Sequence, residues 1–270
     1  DTYNDLFRLY FDGNDCFRVH NYNGTSYNFN YISTQVFRDV NSWGHFVCAI
    51  DTSASTGSQI KVYFNGEQIT DWDTSTNPYS GFQTGWTANI YQRIGREYTS
   101  TYGEAYKMDG YIAELINVDG QQLLPTEFGE YDQTTGAWNP IEYTGTFGTN
   151  GFHLDFSDNS SATALGYDAA GSNNFTPTNI SVAAGVENDS VLDSPVSYQS
   201  ASGNNGGNYC TMSPEDTEGG LTFTNGNLEV TTGSSKCGRG TFWANSGKWY
   251  FEFEMTTYGN PYVGIASHGN

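Results

Sequence analysis

Positive charge is what this chain has least of. Ten lysines and arginines face thirty aspartates and glutamates across 270 residues, a formal net charge of −20 at pH 7. Reading a phosphate backbone takes clustered cations, and the nearest approach to a cluster is Arg93 and Arg96 in "YQRIGREY". Nucleic acid and anionic membrane surfaces are therefore poor partners, and no membrane insertion is expected. No apolar run is long enough to make a membrane-spanning helix. Cysteine is sparse too: Cys16, Cys48, Cys210 and Cys237 lie far apart, with no C-x-x-C pair and no neighbouring histidine cluster, which argues against a zinc site. Pairs Cys16–Cys48 and Cys210–Cys237 are conceivable disulfides within each half, and free, small, buried thiols are the simpler reading. Helical periodicity is missing as well, since no ten-residue window is convincingly amphipathic.

Aromatics and glycine are abundant instead. Tyr, Phe and Trp make up 16% of the chain and 32 residues are glycine. Rings on half-buried pleated surfaces, interrupted by Gly, Asn, Asp and Ser, form an all-β composition. The same aromatic surface supplies enough burial to fold, so disorder is not expected. The acidity reads as solubility in salty surroundings, where like charges are screened.

Alternation carries the strand assignment. In "LFRLYF" Phe7, Leu9 and Phe11 share a face, the turn "DGND" follows, and "CFRVHNY" runs back. "SWGHFVCAID" precedes "SQIKVYFNGEQI", where Ile60, Val62 and Phe64 point inward and Asn65-Gly66 makes a tight hairpin turn. "GYIAELINVDG" is apolar on both faces apart from Glu114, the pattern of a central strand covered by a second sheet. "LLPTEFGE" has a proline placed to start one helical turn. "GFHLDFSDN" alternates Phe152, Leu154 and Phe156 with His153, Asp155 and Ser157. The expected architecture is an antiparallel β-sandwich. From residue 159 to 208 the chain turns polar and Asn/Ser/Gly-rich, a connector laid along a domain surface by a few apolar anchors. Strand signals resume at 209–270 with "GGLTFTNGNLEV", "GTFWA" and "GKWYFEFEM", in which Phe251, Phe253 and Met255 share a face.

The order "SWGHFVCAIDTS…SQIKVYFNGEQI…MDGYIAELINVDGQQL" resembles the concanavalin A-like or laminin-G-like jelly roll. The matching residues are Trp43 and His45, Tyr63 to Gly66, and Gly110 to Glu114. The likeness covers roughly residues 1–125, with the front of that domain expected before Asp1, and a closing segment extends it to 158. The fragments Glu127–Glu130, Trp138–Pro140, Tyr143–Gly145, Gly148–Asp158 and Leu165–Asn174 resemble a segment that follows such jelly rolls in structural proteins of tailed bacteriophages. "GKWYFEFEMTTYGNPYVGIA" is similar to the start of a SPRY domain. The resemblance implies a virion protein on the phage surface, a tail fibre or similar appendage. It further implies contacts with other virion subunits, assembly as a homo-oligomer with a trimer as the common case, and host-surface polysaccharide as ligand.

Candidate chemistry is thin. Concanavalin-like glucanases place paired carboxylates on alternate residues of one strand. The nearest counterpart here, Glu252 and Glu254, lacks a third partner and reads as a solvated face. No Gly-x-Ser-x-Gly elbow marks a hydrolase, so no enzyme is expected. Trp72, Tyr79 and Trp86 sit in a long polar loop, where exposed rings stack on sugars and Asp71, Asp73 and Asn77 bond hydroxyls; the competing role is to plug the end of the sandwich or a subunit interface. Asp155, Ser157, Asp158 and Asn159 suit calcium chemically, although Asp-Asn-Ser runs also turn unaided, and no cofactor is assigned. His20, His45, His153 and His268 read as strand residues. The expected function is adhesion to host glycans without catalysis. The alternatives are a capsid-surface decoration protein that binds other virion subunits, and a secreted lectin-like adhesin or glycanase.

Overall fold

The computed structural model describes residues 6–88, 91–99, 103–183, 188–196, 207–233, 235–244, 246–257 and 262–265. Seven strands form its principal body: β1 Leu6–Phe11, β2 Cys16–Tyr22, β3 Tyr27–Val36, β4 Phe46–Ile50, β5 Ile60–Phe64, β6 Glu67–Gln68 and β7 Trp72–Thr76. Antiparallel pairing arranges them as a four-stranded sheet in the order β1-β2-β3-β7 and a three-stranded sheet β4-β5-β6. Alternation places Phe17 and Val19 of β2, with Phe29 and Tyr31 of β3, on one side of the larger sheet. There they meet Ile60 and Val62 of β5, and Ile69 and Phe82 complete the cluster. Phe17 stacks on Phe46 with centroids 4.6 Å apart, and Phe37 meets Phe64 edge-on at 4.9 Å. Such ring pairs add about 0.5–1.5 kcal/mol each beyond area burial, so the aromatic-rich composition does its work between the sheets.

The turns follow the local chemistry. Asn65 (φ +47°) and Gly66 (φ +83°) both adopt left-handed backbone in the β5–β6 hairpin, the requirement of a two-residue turn matched to strand twist. Three-residue 3-10 turns at Gly85–Thr87, Pro125–Glu127 and Ala164–Gly166 are the helical elements among the described residues, the second with proline in its first turn. The chain is all-β, with antiparallel sheets.

Shorter ladders extend this body. They are β8 Glu97–Thr99 with β9 Gly103–Ala105, β10 Leu115–Asn117 with β13 Phe152–Leu154, and β11 Gly129–Tyr131 with β12 Trp138–Pro140. The closing segment docks through rings. The Trp138 indole N–H donates to His45 Nδ1 at 2.8 Å, and the Tyr131 hydroxyl bonds the Asn65 carbonyl at 3.0 Å. Within 159–208, Ala164, Leu165 and Val196 are buried, and Asp193 accepts the Trp43 indole N–H at 2.9 Å. Further on, β14 Met212–Thr217 pairs with β17 Gly238–Gly240. Between them β15 Leu221–Thr224 and β16 Glu229–Thr232 form a hairpin around Asn225-Gly226-Asn227, all at positive φ.

Two expected strands differ. "GYIAELINVDG" is extended and paired only over Leu115–Asn117. Glu114 has φ +52°, a left-handed conformation that stops an extended run and is unfavourable for a residue with Cβ. Tyr111 and Ile112 are exposed, not covered by a second sheet. "GKWYFEFEM" belongs to no strand, and its Trp249, Phe251, Phe253 and Met255 are exposed; alternation without a hydrogen-bonded neighbour makes no ladder. Among the described residues after Gly240 there is no strand. The cysteines are free; Cys48 lies against the core, where burial pushes its thiol up to about 12.

Candidate functional site

The loop rings take different roles. Trp72, on β7, packs edge-on against Tyr31 with centroids 5.0 Å apart and borders the core. Trp86, in the 3-10 turn at Gly85–Thr87, lies between Phe7 (5.8 Å) and Phe152 (6.2 Å), and its indole N–H donates to Asn117 Oδ1 at 3.0 Å. Its ring thus touches two others and its donor is used. Tyr79 leans on Phe82 at 5.2 Å and is 67% exposed, leaving a face for stacking. Asn77 accepts a hydrogen bond from the Tyr31 hydroxyl, and Asp71 and Asp73 are exposed. The three rings thus engage different neighbours, and no contact between any two of them is seen among the described residues.

A denser cluster lies on the outer face of the four-stranded sheet. Because Phe17, Val19 and Phe29 point into the core, Arg18, His20, Tyr22 and Asn30 point away from it. Register aligns Arg8 with His20, Tyr10 with Arg18, and His20 with Asn30, while Tyr22 faces Tyr27. Arg18 Nε donates to Asn30 Oδ1 at 2.8 Å, and its guanidinium lies over the Tyr27 ring at 4.9 Å and the Tyr10 ring at 5.9 Å. Arg8 pairs with Glu97. His20 is enclosed edge-on by Tyr10 (5.5 Å) and Tyr27 (5.1 Å), and is only 1% exposed. Burial, with Arg18 and Arg8 nearby, drives its pKa down to about 3, so the imidazole is neutral at physiological pH.

The sequence carries part of this face, since "CFRVHNY" places Arg18, His20 and Tyr22 on alternate residues. What the pattern lacks is Arg8, Tyr10, Tyr27 and Asn30, which arrive only through pairing with β1 and β3.

The remaining carboxylates are dispersed or occupied locally. Glu130 and Glu142 border a shallow cleft of about 350 Å³ with Asn139, Pro195 and Asn208. Asp155 accepts from the Ser157 N–H (3.1 Å) and hydroxyl (2.8 Å), and Asp158 from the Ser160 N–H at 3.0 Å. The calcium-suited loop thus spends these oxygens on its own turns, and no group of three or more His, Cys, Asp or Glu is placed to hold a metal among the described residues. Glu252 and Glu254 are exposed on irregular chain. His153 and Glu114 do form a part-buried pair, Nε2 to Oε2 at 2.7 Å, across the β10–β13 seam.

Residues 2–127 match the family model of the concanavalin A-like lectin/glucanases superfamily. The two facing antiparallel sheets of that stretch are consistent with the β-sandwich of that superfamily. No curated protein and no solved structure matches the chain.

Proposed function

We propose that this chain is a non-catalytic, carbohydrate-binding adhesion protein, and that it serves on a surface appendage of a tailed phage, a tail fibre or its equivalent. The observation that carries the glycan reading is the outer face of the four-stranded sheet, where Tyr10, Tyr22 and Tyr27 stand among Arg18, Asn30 and His20. Rings give stacking surface to the apolar faces of a sugar, and amide and guanidinium groups bond its hydroxyls. The lectin/glucanase family match over residues 2–127 supports the same reading. The virion setting draws its support from the phage-like fragments between Glu127 and Asn174. Adhesion is favoured over hydrolysis because Glu252 and Glu254 lie on open chain, whereas the outer sheet face is arranged around a cation and rings.

An array of bacterial surface polysaccharides tests the reading. Binding is expected with and without EDTA, and no bound polymer is shortened on prolonged incubation. Failure to bind any of them defeats the glycan reading, and shortened polymer defeats the non-catalytic one. Antibody labelling of the parent particle in the electron microscope is expected on tail appendages. Labelling confined to the head supports the second reading, a decoration protein bound to other virion subunits. The exposed rings Phe242, Trp243, Trp249 and Phe251 favour that alternative as subunit-contact surface.

A further inference from the structure

Arg18 differs from three of the chain's other arginines. Arg8, Arg38 and Arg239 each face a carboxylate, from Glu97, Asp15 and Asp216 respectively. Arg18 does not: its partners among the described residues are the Asn30 amide and the rings of Tyr10 and Tyr27, all neutral. In a chain with thirty acidic and ten basic residues, a cation left without an acid on a part-buried sheet face needs a reason. Directly beside it are polar atoms in the same condition. Both ring nitrogens of His20 and the Nε of Arg8 are buried and meet no hydrogen-bond partner among the described residues. Buried polar groups in folded proteins are nearly always satisfied, and leaving one unmade costs about 1–3 kcal/mol. Three such atoms on two directly paired residues, Arg8 and His20, mark a place built to receive an outside group.

We propose that this face binds a carboxylate-bearing saccharide, a uronic acid unit of an acidic polysaccharide, with Arg18 gripping the carboxylate, Tyr27 stacking on the ring, and Arg8 and His20 bonding its hydroxyls. The assignment rests on the glycan-binding reading above and names the class of sugar. Charge selects the anion: Glu97 neutralises Arg8, His20 is neutral, and one positive charge is left at Arg18. A single charge matches the monoanion of a carboxylate better than a dianionic phosphate monoester. The planar guanidinium also fits a carboxylate in a two-pronged bond. A neutral imidazole offers one donor and one acceptor, the complement of a sugar hydroxyl. Tyr27, 45% exposed, covers His20 edge-on, and a rotation of this side chain opens the imidazole to that hydroxyl.

Calorimetric titration with hexamers of galacturonate, mannuronate and glucuronate, each beside its carboxyl-reduced neutral counterpart, tests the assignment on the full chain. At least one acidic hexamer is expected to bind tenfold or more tightly than its neutral counterpart. Arg18→Gln is expected to erase that preference while neutral binding persists, and Tyr27→Ala to weaken both. If the Arg18 variant fails to fold, the acidic-to-neutral ratio of the unaltered protein and the surface variant Tyr27→Ala decide alone. Equal binding of acidic and neutral hexamers, or a preference that survives Arg18→Gln, overturns the proposal and leaves glycan adhesion standing. Absence of binding to every hexamer, together with a silent polysaccharide array, removes both.

Discussion

Two histidines with opposite surroundings give this protein a pH dependence with two arms. His20 is held neutral: burial first, then Arg18 and Arg8, bring its pKa to about 3. An unfolded histidine titrates near 6.5, so between those values the unfolded chain binds a proton that the native protein refuses. Stability therefore falls as pH drops through that window, by up to about 4 kcal/mol at its acid end. Chemical denaturation at stepped pH checks this, with His20→Gln expected to flatten the decline below pH 6. His153 behaves in the reverse sense. Burial opposes its charge, but the Glu114 hydrogen bond and the charges of Glu114, Asp155 and Asp168 outweigh it and raise the pKa. Its contribution is fully present below the unfolded value and is lost as pH rises through the higher native one. Glu114→Gln removes the charge partner, so the His153 ring should titrate lower by NMR and the alkaline loss of stability should shrink. The left-handed backbone of Glu114 makes sense here, because it ends the extended run where the carboxylate meets Nε2.

At the scale of elements, the β5–β6 hairpin joins the jelly roll to the segment that follows its family match. Gly66 has φ +83°, and a Cβ placed there meets the Trp138 ring at 2.5 Å. The same indole bonds His45, and the Tyr131 hydroxyl bonds the Asn65 carbonyl, so the docked β11–β12 hairpin packs directly on this turn. Gly66→Ala combines a left-handed alanine with a ring displaced from its seat, and a loss of roughly 2–4 kcal/mol is expected in urea denaturation. Asn65→Gly, which keeps the turn geometry, should cost much less. This hairpin was legible from Asn-Gly between alternating apolar residues, as was the inward set Ile60, Val62 and Phe64. Alternation tells which side chains share a face, but not whether a neighbouring strand exists to complete the ladder. "FEFEM" has the pattern without the neighbour. "YIAEL" fails for another reason: Glu114 takes left-handed backbone and its carboxylate pairs with His153, thirty-nine residues away. The candidate site was not read from the sequence, where His20 passed as a strand residue: alternation puts Arg18, His20 and Tyr22 on one face, whereas Arg8 and Tyr27 require the register of three strands.

Across the whole molecule, the net charge of −20 and the cationic spot at Arg18 respond to salt in opposite directions. Self-repulsion among so many carboxylates works against the compact state, and ions screen it; the Debye length shrinks from about 30 Å at 0.01 M to about 8 Å at 0.15 M. Raising sodium chloride from about 10 mM to about 500 mM is therefore expected to raise the melting temperature. The same addition screens the attraction between Arg18 and a carboxylate, so affinity for an acidic saccharide should fall while affinity for its neutral counterpart holds. Long-range repulsion between the acidic protein and an acidic polymer adds a contrary trend, because salt also eases the approach. The two are separable: approach governs the association rate, and the Arg18 contact governs dissociation. Surface plasmon resonance at stepped salt should show both association and dissociation quickening with salt in the unaltered protein. In Arg18→Gln the quickening of dissociation should disappear while that of association remains, and a dissociation rate indifferent to salt in the unaltered protein would place the recognising charge elsewhere.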